Sequence, residues 1–222
     1  VVIVSGNAVA MPWIDRVPAV LEAWFSGSEA GNALADVVFG AVNPSGKLPF
    51  TFPVRLEDNG AHALGEYPGA DKVKYNESIF VGYRWHDKEQ LKPLFAFGHG
   101  LSYTAFAVGN VKADRTTLAP NGSIRISADV TNTGDRAGAE VVQLYIGDEQ
   151  SSLPRPVKEL KGFQKVSLNP GQTRTVTFEI TPGMLQYYDD AKGAWVAEPG
   201  AFTAYVGAAS DDIRGTVEFE LK

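Results

Sequence analysis

The chain begins with four consecutive apolar β-formers, Val1-Val2-Ile3-Val4, closed by Ser5-Gly6. A short continuous apolar run ended by a turn signal predicts a buried strand. Apolar side chains then recur at steps of three and four (Ile14, Val17, Leu21 and Trp24), which predicts a helix from about Asp15 to Phe25 with one covered face. A second helix is expected downstream, where Ser28 is a capping residue, Glu29 complements the dipole from the first turn, and Gly40 is placed to end it. Its apolar face would be Ala30, Ala33, Leu34, Val37 and Val38. A strand followed by a helix that covers it is α/β grammar, but so few strands make only the end of a sheet.

From Pro53 to about Pro93 the period lapses, with Gly60, Gly65, Pro68 and Gly69 as punctuation. An irregular connection of this length is uncommon inside a compact domain and marks a functional loop or a segment lying over another domain. Its stretch from Tyr75 to Trp85 is too aromatic to float free in water and should be ordered against something. Beyond Phe97 the period switches to two. Ser123–Val130, Thr173–Ile180 and Thr216–Leu221 alternate cleanly, and Val141–Ile146 and Phe202–Val206 are further strands. Asn132-Thr133-Gly134-Asp135, Asn169-Pro170-Gly171 and Glu198-Pro199-Gly200 read as turns. About seven short strands at such spacing predict an antiparallel sandwich. The expected division is therefore 1–53 as the end of an α/β domain, 54–96 as an irregular aromatic linker, and 97–222 as a β-sandwich, with no internal repeat or low-complexity tract.

Composition narrows the function classes without naming one. The 222 residues are 44% hydrophobic and 21% charged, which is globular in character. A net charge of −6 argues against nucleic-acid and anionic-membrane partners, which select basic patches, whereas neutral glycans select neither sign. The absence of cysteine excludes disulfides and thiolate metal sites but leaves the compartment open. No apolar run approaches the roughly 20 residues that span a bilayer. Val1–Gly6 also lacks the basic leader of a signal peptide.

Two motifs carry a resemblance. Asn43-Pro44-Ser45-Gly46-Lys47-Leu48, with the upstream run Glu29–Gly40, is similar to the end of the second domain of glycoside hydrolase family 3, the β-glucosidase and exo-glucanase family. Phe97-Gly98-His99-Gly100-Leu101-Ser102-Tyr103-Thr104 resembles the segment that leads, in the same family, into a C-terminal fibronectin type III-like, immunoglobulin-like domain. The resemblance covers essentially the whole chain. It implies a mixed fold, the C-terminal end of an α/β sandwich followed by an all-β sandwich. It also implies that the nucleophilic aspartate, in an N-terminal (β/α)8 barrel, and the acid/base glutamate, earlier in the second domain, lie upstream of Val1. The chain alone would then be inert, and its partner would be the remainder of the enzyme, on the same polypeptide or a separate one. Retaining hydrolysis of a terminal β-linked sugar, most readily glucose, from a β-glucoside or oligosaccharide is the implied reaction, without cofactor or metal. A periplasmic or secreted location is the family expectation. The competing reading is a non-catalytic sandwich that binds glycan or another protein.

Glycoside hydrolysis needs two carboxyl groups flanking one bond, about 5–5.5 Å apart in retaining enzymes. Glu29 and Glu77 are the best-placed candidates, but a dipole role suffices for Glu29, and Glu77 is open to an ion pair with Arg84 or Lys74 as well as to sugar binding. Neither matches the family's acid/base context, so no catalytic residue is assigned. Among His62, His86 and His99 there is no metal-ligand spacing. Trp85 next to His86 has the chemistry of a sugar site, a ring for the apolar face of a pyranose beside a polar group for its hydroxyls. Glu77, Trp85 and His86 are therefore the candidate substrate-binding residues. Gly27, Gly31 and Gly40 match neither phosphate-loop spacing. Asp189-Asp190 and Asp211-Asp212 lack the alternating oxygen ligands of a calcium loop and read as solvated turns.

Overall fold

The computed structural model describes residues Val1–Lys222, which divide into two compact units, Val1–Tyr103 and Thr104–Lys222. In the first, β1 (Val2–Val4) pairs in parallel with β2 (Val20–Glu22), Val2 opposite Val20 and Val4 opposite Glu22. The helix expected over 15–25 is absent. A single 3-10 turn, Ile14–Arg16, stops at Val17, whose φ of −128° and ψ of 134° are extended. Pro18 is the cause, because the residue before a proline is driven out of the α region and the ring removes a helical N–H. The three-and-four spacing of Ile14, Val17, Leu21 and Trp24 thus straddles a turn and a strand.

The second predicted helix is present as α1, Ala30–Val38. Its cap differs from the expectation: Glu29, not Ser28, occupies the N-cap, with no side-chain hydrogen bond to the helix, and its Oε2 accepts instead from Asn32 Nδ2 at 2.6 Å. Gly40 ends the turn with φ +76°, the left-handed conformation that glycine adopts without steric cost. No residue of α1 is buried, and Phe39 just beyond it is 87% exposed.

Residues 54–96 carry more structure than their lack of period suggested. They hold a 3-10 turn at Leu56–Asp58 and two short helices, α2 (Gly60–Ala63) and α3 (Tyr83–Lys88). Asp58 fixes the entry to the 3-10 turn by accepting from the Arg55 backbone at 3.1 Å and its guanidinium at 3.0 Å.

The second unit is all β. Its strands are β3 (Phe106–Ala113), β4 (Thr117–Leu118), β5 (Ile124–Asn132), β6 (Gly138–Asp148), β7 (Glu159–Leu168), β8 (Thr173–Ile180), β9 (Tyr187–Asp189), β10 (Ala194–Val196), β11 (Gly200–Ala209) and β12 (Asp212–Leu221). One sheet has the order β4-β12-β11-β6-β7 and the other β3-β5-β8, with β9-β10 as a separate hairpin. Alternate residues of β5 (Ile124, Ile126, Ala128, Val130) and of β8 (Val176, Phe178, Ile180) meet Leu144, Ile146, Phe202, Val206 and Phe219 from the other sheet in one core. The two inner faces of a sandwich do this by presenting every second side chain inward. The fold is thus mixed, an α/β end followed by a β-sandwich.

Candidate functional site

The two motifs singled out in the sequence bind each other. Asn43 Oδ1 accepts from Ser102 Oγ at 2.9 Å and from the Tyr103 backbone N–H at 2.8 Å. Lys47 Nζ donates to Gly100 O at 2.9 Å, Leu48 N to His99 O at 2.8 Å, and Gly98 N to Leu48 O at 2.7 Å. The Tyr103 hydroxyl reaches back to Val37 O of α1 at 2.8 Å. A Cβ on Gly100 would stand 2.2 Å from Gly46 O, so the close approach of the two segments requires glycine there. A β-bridge between Phe52 and Phe95 extends the contact, and Phe95 stacks on His99 at 5.3 Å. These residues position backbone, and their polar groups are committed to doing so. Residues 97–103 belong to the first unit for this reason, so that the compact sandwich unit begins at Thr104, not at Phe97.

The aromatic segment is ordered around α3. Gly82, with φ +62°, starts this helix, and Tyr83 stacks on Phe97 at 4.9 Å. Trp85 is 6% exposed and His86 3%. The indole packs against Gly60, where a Cβ would lie 3.0 Å from the ring and 3.2 Å from Glu77 Cβ. His86 Nδ1 lies 3.1 Å from Gly82 O, where it donates, leaving Nε2 as an acceptor. That Nε2, Trp85 Nε1, Thr51 Oγ1 and Glu77 Oε2 are all buried without a hydrogen-bond partner. Native folds satisfy nearly all such atoms, and each orphan costs about 1–3 kcal/mol. No hydrogen bond from Arg84 or Lys74 reaches Glu77 Oε2, so the ion pair weighed for Glu77 does not satisfy this oxygen.

Glu77 lines a cleft of about 280 Å³ together with Asn59, His62, Tyr67 and Phe80. Tyr67 is 61% exposed and meets the His62 ring edge-on at 4.9 Å. Of the three sequence-predicted residues, Glu77 faces the cleft, while Trp85 and His86 lie behind it, closed off from solvent. Sequence reasoning passed over Asn59 and Tyr67. No periodic or spacing signal distinguishes them, because a loop that folds back on a four-residue helix brings them to Glu77.

The other candidates are accounted for by local structure. Asp189 holds Lys192 Nζ at 2.9 Å and accepts from the Ala191 N–H at 3.0 Å; the Lys192 hydrogen bond pulls its carboxyl below the usual range. Asp212 pairs with Arg214 at 2.5 Å. No three His, Asp or Glu side chains converge as a metal site would require. An ionic cluster of Arg155 with Asp148 and Glu159 at 2.9 Å each, joined by Lys161 at 3.4 Å from Glu159, is partly buried, and Arg155 donates also to Leu185 O, so its two cations and two carboxylates are paired internally.

Comparison with known proteins covers the chain end to end. Residues 1–103 match the glycosyl hydrolase family 3 C-terminal domain and residues 140–210 the fibronectin type III-like domain. Beta-glucosidase BoGH3A of Bacteroides ovatus is 54% identical over 99% of this chain, and thermostable beta-glucosidase B of Acetivibrio thermocellus 49% over 96%. The crystal structure of a beta-glucosidase from Kluyveromyces marxianus in complex with glucose superposes on the whole chain with a TM-score of 0.91 at 41% identity, covering 26% of that protein. The chain spans about three-tenths of the length of the curated relatives, 30% of the first and 28% of the second. The chain belongs to glycoside hydrolase family 3, of which it holds the C-terminal domain and the fibronectin type III-like domain that follows it.

Proposed function

We propose that this chain is the structural C-terminal part of a retaining β-glycosidase that hydrolyses terminal non-reducing β-D-glucosyl residues, its nucleophile and acid/base supplied by the remainder of the enzyme. The observation that carries the structural role is the single carboxylate, Glu77, in the cleft of the first unit. Retaining hydrolysis requires two carboxyl groups about 5–5.5 Å apart. The names of relatives up to 54% identical along the chain support the reaction class. The two sequence motifs support the same role, since their hydrogen bonds are used to lock Asn43–Leu48 against Gly98–Tyr103. Within this reading Glu77 contacts sugar, and Trp85 and His86 hold its segment from behind.

The test compares turnover. The full-length enzyme should hydrolyse aryl β-glucosides, whereas purified 222-residue chain should release no aglycone above buffer. Turnover by the chain alone that disappears in Glu77→Gln would overturn the structural role. An inactive full-length enzyme would overturn the reaction class.

A further inference from the structure

The cleft of the first unit is lined by side chains whose capacity the fold leaves unused. Asn59 stands at the N-cap of α2 without bonding the helix, so its amide is uncommitted. Glu77 keeps one buried carboxylate oxygen without a donor. Tyr67 presents a ring more exposed than covered, braced edge-on by His62. We propose that these groups form a binding site for one neutral pyranose, an inference that rests on the β-glycosidase reading for the choice of sugar.

Size, charge and chemistry lead to the same ligand class. About 280 Å³ is just below the roughly 300–1,000 Å³ typical of small-molecule sites, which suits one sugar ring. No lysine or arginine lines the cleft itself, and its one carboxylate is Glu77. Behind the lining, the Lys88 ammonium lies 5.1 Å over the Phe80 ring and 5.0 Å over Trp85, so it offsets the charge of Glu77 and leaves the cleft with no strong bias toward a cation or an anion. A neutral polyol suits that balance. Its hydroxyls donate to Glu77 and exchange hydrogen bonds with the Asn59 amide, while the C–H face of the ring lies on Tyr67. Trp85 and His86, the rings that sequence alone favours, take no part in the stacking because they are sealed within the fold. Glu77 turns its buried oxygen toward the ligand on binding, and relief of that orphan adds to affinity.

The test is hydrogen exchange on the full-length enzyme with methyl β-D-glucopyranoside, read on peptides covering residues 59–82, with glycerol at equal concentration as the solvent control. The expected result is saturable protection of these peptides by the glucoside and none by glycerol. Tyr67→Ala and Glu77→Gln should each raise the half-saturating concentration at least about tenfold, equivalent to 1.4 kcal/mol. Protection absent up to about 100 mM glucoside, equal in glycerol, or unchanged in both variants would overturn the site. Turnover of aryl β-glucoside by the unmodified enzyme is measured in parallel. An active enzyme without protection at 59–82 rejects the site alone, whereas an inactive enzyme rejects the functional reading on which the choice of sugar rests.

Discussion

Asn132 is the residue on which the turns of the sandwich converge. Its side chain is fully buried, and all four valences of the amide are matched: Nδ2 donates to Arg136 O at 2.7 Å and Leu168 O at 3.0 Å, and Oδ1 accepts from Thr104 Oγ1 at 2.8 Å and the Gly134 N–H at 3.1 Å. Leucine has similar volume but would leave buried carbonyls, a hydroxyl and an amide facing carbon, so Asn132→Leu should destabilise the second unit by about 3 kcal/mol or more. Urea unfolding followed by circular dichroism measures it, and a loss below about 1 kcal/mol would show that water replaces the amide. Asp189 provides a pH-dependent case. Its carboxyl is lowered, first by the Lys192 hydrogen bond and then by backbone N–H groups of Lys192 and Ala191, against the opposing effect of burial. A lowered folded value means that the stabilisation is complete above the unfolded carboxylate value of about 4 and is lost as pH falls through the folded value. The gap in Tm between wild type and Asp189→Asn should therefore be constant from neutral pH down to that range and close below it. A gap that widens on acidification would reverse the assignment.

At the scale of elements, what was legible depended on whether one local rule acted alone. β5, β8 and β12 alternate without interruption and were readable from period two. β3 was not, because its register shifts between Gly109 and Lys112, where Asn110 takes φ +51°, and the bulge breaks the alternation. β7, at the edge of its sheet, is only weakly alternating over Glu159–Phe163 and leaves Phe163 exposed. The false helix over 15–25 rests on spacing alone, whereas Pro18, three residues before Leu21 at the middle of β2, forbids it. Glu77 was legible as an unusual carboxylate in an aromatic segment; Asn59 and Tyr67 became its neighbours only through tertiary folding. The pairing of the two family motifs was equally invisible, since 53 residues separate Lys47 from Gly100. It yields a sharp prediction. Gly100→Ala forces a methyl against Gly46 O, a clash between backbones that no rotamer change relieves. Hydrogen exchange should quicken at Leu48 and Gly98, which bridge the motifs, with a stability loss of about 1–3 kcal/mol. Unchanged exchange at these two amides would mean that the segments are held together by the Phe52–Phe95 contact instead.

At the scale of the molecule, the two units differ in how well each covers its own apolar surface. The sandwich closes a continuous core in which Ile124, Ile126, Val130, Val142, Leu144, Ile180 and Val206 are all inaccessible to solvent. The first unit leaves Phe25 84% and Phe39 87% exposed and buries no residue of α1. Its sheet has only two short strands, none of whose residues is fully buried, and an isolated two-stranded sheet is marginal in water. Unpaired strand edges and exposed aromatics are what native proteins cover to avoid aggregation. Burial supplies about 25 cal/mol per Å², and backbone ordering costs about 1–2 kcal/mol per residue, so a segment this poorly covered gains too little from its own contacts to stay closed. In the isolated chain, amide exchange should accordingly be slow across the strands of Thr104–Lys222 and fast across Val1–Pro53, and in the full-length enzyme both should be slow. The comparison separates intrinsic from borrowed stability. Equal protection of both regions in the isolated chain would show that β1, β2 and α1 hold together without the remainder of the enzyme, and the exposed rings at 25 and 39 would then need another occupant.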